Sequence, residues 1–340
     1  MPIWKNGAKH PSIGELNNLV YMRLSFELEE TINELIKGLP LSELVKQSEI
    51  LSGQYRNRGT RPLDSLISEN QRLAYLAARF PATYAVGCKV FAEALKICGN
   101  DPLESLLDIG AGPGTLLLAA AEMGLPLYKG TMAERDPGFI KLGKQLTSSL
   151  GSVQQEWISH DLRKDYVFEP HDVVVASYSL NELNEEDRLA LLERLWQAAQ
   201  KILIIIEPGT KAAFESLKTM RQKMLTLGAH LAAPCPHSNN CPLQENDWCH
   251  FSVRIERSSL HRKTKLATLN YEDEKFSYLI FSKKKIEPCH SRVLRHPYKG
   301  TGFIKLQLCS RNGIEEQTIT KKNKLQYTST KKIEWGDGFN

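Results

Sequence analysis

The sequence predicts an α/β protein built on an open, doubly wound and mostly parallel sheet, preceded by a helical domain and followed by a small β-rich extension. Three observations predict it. An apolar strand, Leu106-Leu-Asp-Ile, runs into a glycine-rich turn that opens an apolar helix. From there to Glu207, short β-branched or apolar runs alternate with helical patterns long enough to cross over a sheet. Polar or acidic residues close these runs, which puts them at the carboxyl ends of strands, where open α/β sheets bind ligands.

Taken in order, residues 1–100 read as the helical domain, with apolar periodicity over Leu16–Leu39 and Gln71–Ile97. Arg56, Arg58, Arg61 and Arg72 form a small basic group between them, a phosphate contact or a solvated helix flank. The turn after the first strand contains Gly110, Gly112 and Gly114, which let the backbone bend sharply and come close to a ligand. It lacks the Lys-Ser or Lys-Thr pair of a P-loop and the third-glycine spacing of the dinucleotide fingerprint. The order Asp108-x-Gly110-x-Gly112-x-Gly114 resembles motif I of the class I S-adenosylmethionine (SAM)-dependent methyltransferases, which have a Rossmann-like sheet.

Residues 127–133 form the second strand, ending at Glu134 about 20 residues after the glycine turn, the place for a carboxylate that binds ribose hydroxyls. Val153–His160 is the third strand, followed by Asp161, either an adenine-side residue or a helix cap. His171–Ser177, with its Val-Val-Val run, reads as a buried parallel strand and places Ser177 at its end. Lys201–Glu207 is another strand, and Pro137–Leu150 and Glu185–Ala199 are the intervening helices. Asp108, Gly110, Gly112, Gly114, Glu134, Asp161 and Ser177 are therefore the expected SAM-binding set.

Apolar residues make up 41% of the 340, enough for a core in each of two or three domains. No apolar run is long enough to span a membrane, and residues 1–7 read as neither a signal nor a transit peptide, so a cytoplasmic protein is expected. The domains are read as 1–100, 101–290 with a cysteine-rich insertion at about 230–265, and a basic extension over 291–340. Charge is uneven: residues 251–340 carry 19 Lys+Arg against 9 Asp+Glu, and residues 1–250 carry 25 against 30. Aromatic residues, including Phe251, Tyr271, Phe276, Tyr298 and Phe303, lie among the basic ones, a composition that suits RNA. Arg254, Arg257, Arg262, Lys263 and Lys265, on a helix or extended arm, are the candidate phosphate contacts.

Cys235, Cys241 and Cys249 fall within fifteen residues in an irregular, proline-containing segment. In a cytoplasmic chain this points to metal rather than disulfides. Five and seven residues separate the cysteines, wider than common zinc knuckles, and Pro236 and Pro242 fit a loop around an iron–sulfur cluster. The fourth ligand is preferably Cys309, on a strand leading into an Asn312-Gly313 hairpin turn, with Cys289, His237 and His250 as alternatives. Cys88 and Cys98 lie in apolar helical sequence and are read as inert.

Pro234-Cys-Pro-His, Cys241-Pro-Leu, Asp247-Trp-Cys-His-Phe-Ser-Val-Arg254 and Ser179-Leu-Asn-Glu-Leu183, with the glycine motif, resemble the family of small-ribosomal-subunit methyltransferase-like proteins. Arg79-Phe-Pro-Ala-Thr-Tyr84 and Arg292-Val-Leu-Arg295 with His296-Pro297 extend the likeness over roughly residues 55–320. The resemblance implies a methyltransferase fold with a [4Fe–4S] cluster on Cys235, Cys241, Cys249 and Cys309, zinc being the alternative in a four-thiolate site. It also implies action, as a monomer, on small-subunit ribosomal RNA, in the mitochondrial matrix for eukaryotic members.

Catalysis is open at this stage. The segment after the fourth strand, Ala176-Ser-Tyr-Ser-Leu-Asn-Glu182, has neither the cysteine used for methylation at cytosine carbon nor the Pro-Pro-aromatic turn used at exocyclic nitrogen. Tyr178, Asn181 and Glu182 are the candidate catalytic residues, and Asn181 and Glu182 read equally as the start of the next helix. Three functions remain: an rRNA methyltransferase, a SAM-binding assembly factor that transfers no methyl, and a cluster-based sensor that controls RNA binding.

Overall fold

The computed structural model of the protein describes residues 22–56 and 67–339. The start of the expected Leu16–Leu39 helix, Arg58, Arg61 and residues 1–7 lie outside them. The chain divides by packing rather than by sequence order. One compact unit gathers the described residues up to Tyr166 with Val175–Ser177 and Val253–Glu274; the other gathers Val167–Val174, Tyr178–Ser252 and the described residues from Lys275.

The first unit begins with four helices, α1 (Phe26–Ile36), α2 (Leu41–Arg56), α3 (Glu69–Ala78) and α4 (Phe80–Cys98). Ser25 caps α1 by accepting from the Leu28 N–H, and Ser68 with Gln71 makes a reciprocal capping box on α3. The single periodic stretch expected over Gln71–Ile97 is two helices, broken at Arg79, because Pro81 has no N–H to donate to the Ala77 carbonyl and sits instead in the first turn of a new helix. Helix α4 buries Phe80, Tyr84 and Phe91.

Then come β1 (Ser105–Ile109), α5 (Thr115–Glu122), β2 (Lys129–Glu134), α6 (Pro137–Leu146) and β3 (Gln154–Ser159). Strands β1, β2 and β3 are parallel, with Asp108 opposite Met132 and Ala133 opposite Ile158. The strand order in this unit is β3-β2-β1-β4, β4 being His171–Ser177, whose last three residues belong here. This is the three-strand run with crossover helices that the sequence predicts, each strand boundary within two residues; the helix expected over Pro137–Leu150 ends at Leu146 and passes into a 3-10 turn over Thr147–Ser149.

The second unit contains the start of β4, α7 (Glu185–Ala198), β5 (Ala199–Pro208), α8 (Lys211–Thr226) and β6 (His230–Ala233). After an irregular stretch come β7 (Phe251–Glu256), α9 (Ser259–Thr264) and β8 (Tyr271–Ser282); Val253–Glu274 of this run pack in the first unit. The order continues β4-β5-β8-β6, with β7 also paired to β8. Strand β8 is antiparallel to both β5 and β6, so the sheet is mixed, where a mostly parallel one was expected. Apolar alternation in Phe276–Phe281 reports burial and carries no information on direction. The result is an α/β fold with a mixed sheet.

The extension is a second sheet, of β9 (Ser291–Val293), β10 (Tyr298–Gly300), β11 (Phe303–Ser310), β12 (Gly313–Thr320) and β13 (Gly338–Phe339), with α10 (Lys324–Thr330) beside it. Its order is β10-β11-β9-β13, with β12 on β11. Val293, Ile304, Leu306, Leu308, Ile319 and Tyr327 form its core. The β11–β12 turn is Arg311-Asn312, one residue earlier than expected, because Ser310 pairs with Gly313 and the glycine opens β12 at φ 117°. No helix among the described residues is long and apolar enough to cross a membrane.

Candidate functional site

In the first unit, β1 delivers Asp108 to the start of the glycine turn. Gly110, Gly112 and Gly114 take φ values of 70°, 53° and 77°, left-handed backbone that other residues rarely adopt. The N–H groups of Gly110 and Ala111 donate to the Ala133 carbonyl at 2.9 and 3.1 Å, tying the turn to the end of β2. The Gly112 N–H donates to one Glu134 carboxylate oxygen and the Asp136 N–H to the other, both at 2.8 Å. Glu134 is thus fixed beside the turn by the two loops that follow β1 and β2. A Cβ on Gly112 would meet nothing within 4 Å, so the turn presents open space on that side.

Asp108 is buried, and neither carboxylate oxygen has a hydrogen-bond partner. Burial first, and then the charge of Glu134, push its carboxyl up to about 8, the Leu116 backbone pulling only weakly the other way. A buried, unpaired acid next to a second carboxylate is a receptor for positive charge. Ser177 Oγ, at the end of β4, is likewise buried without a partner. Asp161 sits just after β3 and is engaged locally: its carboxylate accepts from the Arg163 N–H at 3.1 Å and from the Arg163 guanidinium, which holds its carboxyl down at about 2. Arg72 is also committed, its Nε 2.9 Å from the carboxylate of Asp136, the residue that caps α6.

In the second unit, Tyr178 follows β4 with φ 58°, a strained conformation for an aromatic residue, and donates its N–H to the Ile206 carbonyl at 2.8 Å. Asn181 and Glu182 lie in a 3-10 turn, and α7 begins after them, capped by Asn184. Asn181 donates its backbone N–H, at 3.2 Å, and its side-chain amide to the two oxygens of Glu207, a completely buried carboxylate near the end of β5. Glu182 is exposed. Sequence reasoning passed over Glu207, although Ile-Ile-Ile-Glu207 is the same signal, a carboxylate closing a buried strand, that marked Glu134.

The same unit brings the cysteines together. Cys235, Cys241, Cys249 and Cys309 line one cavity with His237, Arg221 and Arg292. Cys289 is not in its lining, and neither is His250, which stacks on Trp248 with ring centroids 5.0 Å apart. Cys309 Sγ lies 3.7 Å from His237 Nε2. The thiols feel one another: burial first, then the neighbouring cysteines, raises Cys249, and the same causes push Cys309 up to about 12. Burial likewise raises Cys235, with the Arg221 charge opposing it. Among the described residues, no three His, Cys, Asp or Glu side chains stand in ready metal-binding geometry.

Two buried arginines, missed in the sequence, hold this segment. Arg221 donates to the carbonyls of His237 and Asn239 at 2.9 and 2.7 Å, and its Nε is left without a partner. Arg292 donates to Pro234 and Gly336 carbonyls at 2.8 and 2.9 Å. Ser277 Oγ donates to the Cys249 carbonyl at 2.8 Å, and Trp248 Nε1 to Gly209 at 3.0 Å.

Three of the five expected phosphate contacts have internal carboxylate partners within the first unit. Arg254 makes a double hydrogen bond to Asp273, both at 2.7 Å, and lies over Tyr271. Arg257 and Lys265 share Glu272 with buried His261. Burial opposes ionisation of Glu272, but His261 and Lys265 outweigh it and hold its carboxyl below the usual range. Arg262 and Lys263, on α9, are exposed.

Comparison with known proteins gives relatives of the same kind. A human mitochondrial ribosome assembly protein, METTL17, is 26% identical over 295 residues, covering 79% of this chain and 62% of its own. An Rsm22-cox11 tandem protein of Schizosaccharomyces pombe, also mitochondrial, is 23% identical over 369 residues, covering 92% and 48%. The chain therefore spans about half to three fifths of the length of these curated relatives. Among solved structures, a magnesium protoporphyrin IX methyltransferase from Synechocystis with bound S-adenosylhomocysteine is 14% identical, with TM-score 0.41, over 70% of this chain and 100% of that one. A SAM-dependent methyltransferase from Aquifex aeolicus is 15% identical, with TM-score 0.40, over 64% and 99%. The family described as mitochondrial small ribosomal subunit Rsm22 matches residues 69–340, which include the glycine turn and all four cavity cysteines, and the chain belongs to that family.

Proposed function

We propose that this protein binds SAM and acts on the small ribosomal subunit or its rRNA during ribosome assembly. The observation that carries the reading is the family match over residues 69–340, which spans both candidate centres. The residues around the glycine turn suit SAM. Gly112 leaves space for close approach, Glu134 is fixed as an acceptor for ribose hydroxyls, and Asp108 is a buried carboxyl, held protonated by its surroundings, that a ligand's positive charge would ionise. SAM, when bound, supplies an electrophilic methyl group; Gly110, Gly114, Ser177 and Asp161 complete the set proposed to hold it.

The cavity cysteines suit a four-thiolate metal centre, a [4Fe–4S] cluster or zinc, with Cys235, Cys241, Cys249 and Cys309 as ligands. Two buried guanidinium groups border the cavity, and Arg221 Nε has no partner, an arrangement that favours an anionic thiolate centre over four neutral thiols. Exposed Arg262 and Lys263 are the members of the basic arm best placed to meet phosphate.

A second reading, binding without methyl transfer, is favoured by one observation: the Asn181 side-chain amide is committed to buried Glu207, so the candidate acceptor pocket loses that donor. The test is cosedimentation. The protein should travel with small-subunit particles on a gradient, and cells lacking it should accumulate immature small subunits that the wild-type gene restores. Absence of both overturns the reading. Mass mapping of rRNA from the same cells separates the two versions: a methyl mark that disappears with Gly112→Val establishes transfer, and unchanged rRNA with defective subunits establishes binding alone.

A further inference from the structure

The small sheet presents an open face of which the thiol cavity uses only the Cys309 end. In β11, Ile304, Leu306 and Leu308 point into the core, so Phe303, Lys305, Gln307 and Cys309 lie on the opposite face. Register extends that face across the sheet: Tyr298 and Thr318 flank Lys305, while Gly300 and Thr320 flank Phe303. At one end of the face Cys309 lines the thiol cavity. At the other lie two aromatic rings and an exposed lysine.

Those rings are arranged for access. Tyr298 is 64% exposed, unusual for so large a side chain, and its ring centroid is 5.9 Å from that of Phe303. The Phe303 ring lies over Gly300, where a Cβ would come within 2.5 Å of it, so the glycine makes room for the ring to lie down on the strand. Lys305 Nζ is 5.9 Å from the Phe303 ring centre, and exposed Lys321 lies beside Gly302, the residue before Phe303. Thr318 and Thr320 are exposed and short, leaving the rings unobstructed from the β12 side. The one carboxylate on this face, Glu316, sits opposite Gln307, toward the cysteine end.

We infer that the outer face of β10–β11–β12 is a stacking platform for single-stranded RNA, with Tyr298 and Phe303 under successive bases and Lys305 and Lys321 at the backbone phosphates. An exposed Tyr298 ring beside a half-buried Phe303 ring, tilted 38° from it, gives faces on which bases of any sequence stack, and flanking lysines supply the charge match to a polyanion. A duplex hides its base faces and offers the rings nothing, so the platform selects unpaired segments. A protein partner would leave the lysines without matching charge. This inference rests on the rRNA reading above, and it specifies the part of the RNA and the residues that meet it.

The test is fluorescence anisotropy of the full chain with a labelled single-stranded oligouridylate of about 12 nucleotides, with a duplex RNA of equal length as control. Tyr298→Ala should weaken single-strand binding about tenfold, Tyr298→Phe should retain it, and duplex binding should change little. Lys305→Glu should weaken binding and flatten its salt dependence. Thermal melting checks that the variants remain folded; Tyr298, being exposed, is the variant to rely on. Wild-type affinity in Tyr298→Ala, or no single-strand binding by wild type, overturns the platform but leaves cosedimentation to judge the small-subunit reading. Loss of cosedimentation in Tyr298→Ala with oligouridylate binding intact also overturns it, assigning the face to a ribosomal protein.

Discussion

Asp108 is a residue whose burial costs the fold more as pH rises. Its carboxyl is raised from 3.8 to about 8, so between those values the folded protein binds a proton that the unfolded chain has lost. Stability therefore falls as pH rises through that window, the reverse of an ordinary paired carboxylate. Asp108→Asn should flatten this dependence: melting temperatures of the two proteins should converge near the bottom of that window, about pH 4, and separate progressively up to pH 8, with the variant higher. The same substitution should weaken binding of SAM, the proposed ligand, at least tenfold by isothermal titration, since it removes the one group there that the ligand's positive charge would ionise. A variant with wild-type SAM affinity would remove Asp108 from the pocket. The glycine turn, and the place of Glu134 beside it, were legible in sequence because both sit at the ends of adjacent strands and their hydrogen bonds run to backbone there. Partners distant in sequence were not. Arg254, Arg257 and Lys265 looked free because Asp273 and Glu272, which neutralise them, arrive from the next strand, and periodicity along a helix cannot register that. The pairing of Glu207 is hidden from sequence for the same reason: its partner Asn181, readable as a catalytic residue or as a helix start, lies 26 residues away and meets it only when β4 and β5 are side by side.

At the scale of elements, local chemistry set boundaries well and direction poorly. Caps at Ser68, Asp136 and Asn184 start helices where the sequence places or nearly places them. Ser68→Ala, which removes half of a capping box, should cost about 1 kcal/mol in urea unfolding. The reversal of β8 was invisible because buried strands look alike in either direction. The irregular cysteine segment has no ladder of its own and depends on side chains for its shape. Arg292 is the main one, joining Pro234 to Gly336 across the sequence while itself buried. Arg292→Met keeps the apolar stem but leaves two carbonyls without their donor, and should cost about 2–3 kcal/mol. Its melting temperature should fall by several degrees, and the cavity thiols should react faster with a thiol reagent. Unchanged thiol reactivity would mean that the segment holds its own conformation.

At the scale of the whole molecule, the two candidate centres fall in different packing units. The glycine turn, Glu134 and Asp161 belong to the first; all four cavity cysteines belong to the second. The chain crosses between units several times, so a reading by consecutive segments, 1–100, 101–290 and 291–340, could not show this division. Its consequence is testable by hydrogen exchange, which reports opening locally. SAM, proposed to bind the native pocket and not the unfolded chain, should slow exchange in peptides spanning residues 105–136. Cys249→Ser, which removes one proposed thiolate ligand, should speed exchange in peptides spanning 234–250 and 303–310. Each effect should be confined to its own unit. If instead SAM also protects the cysteine peptides, or Cys249→Ser exposes the glycine turn, then the centres are energetically coupled. Reciprocity then requires that metal loading change SAM affinity by the same factor by which SAM changes metal affinity. That outcome would favour the sensor reading, because a metal centre that regulates needs a coupled site to act on, whereas confinement would make it a staple of the second unit.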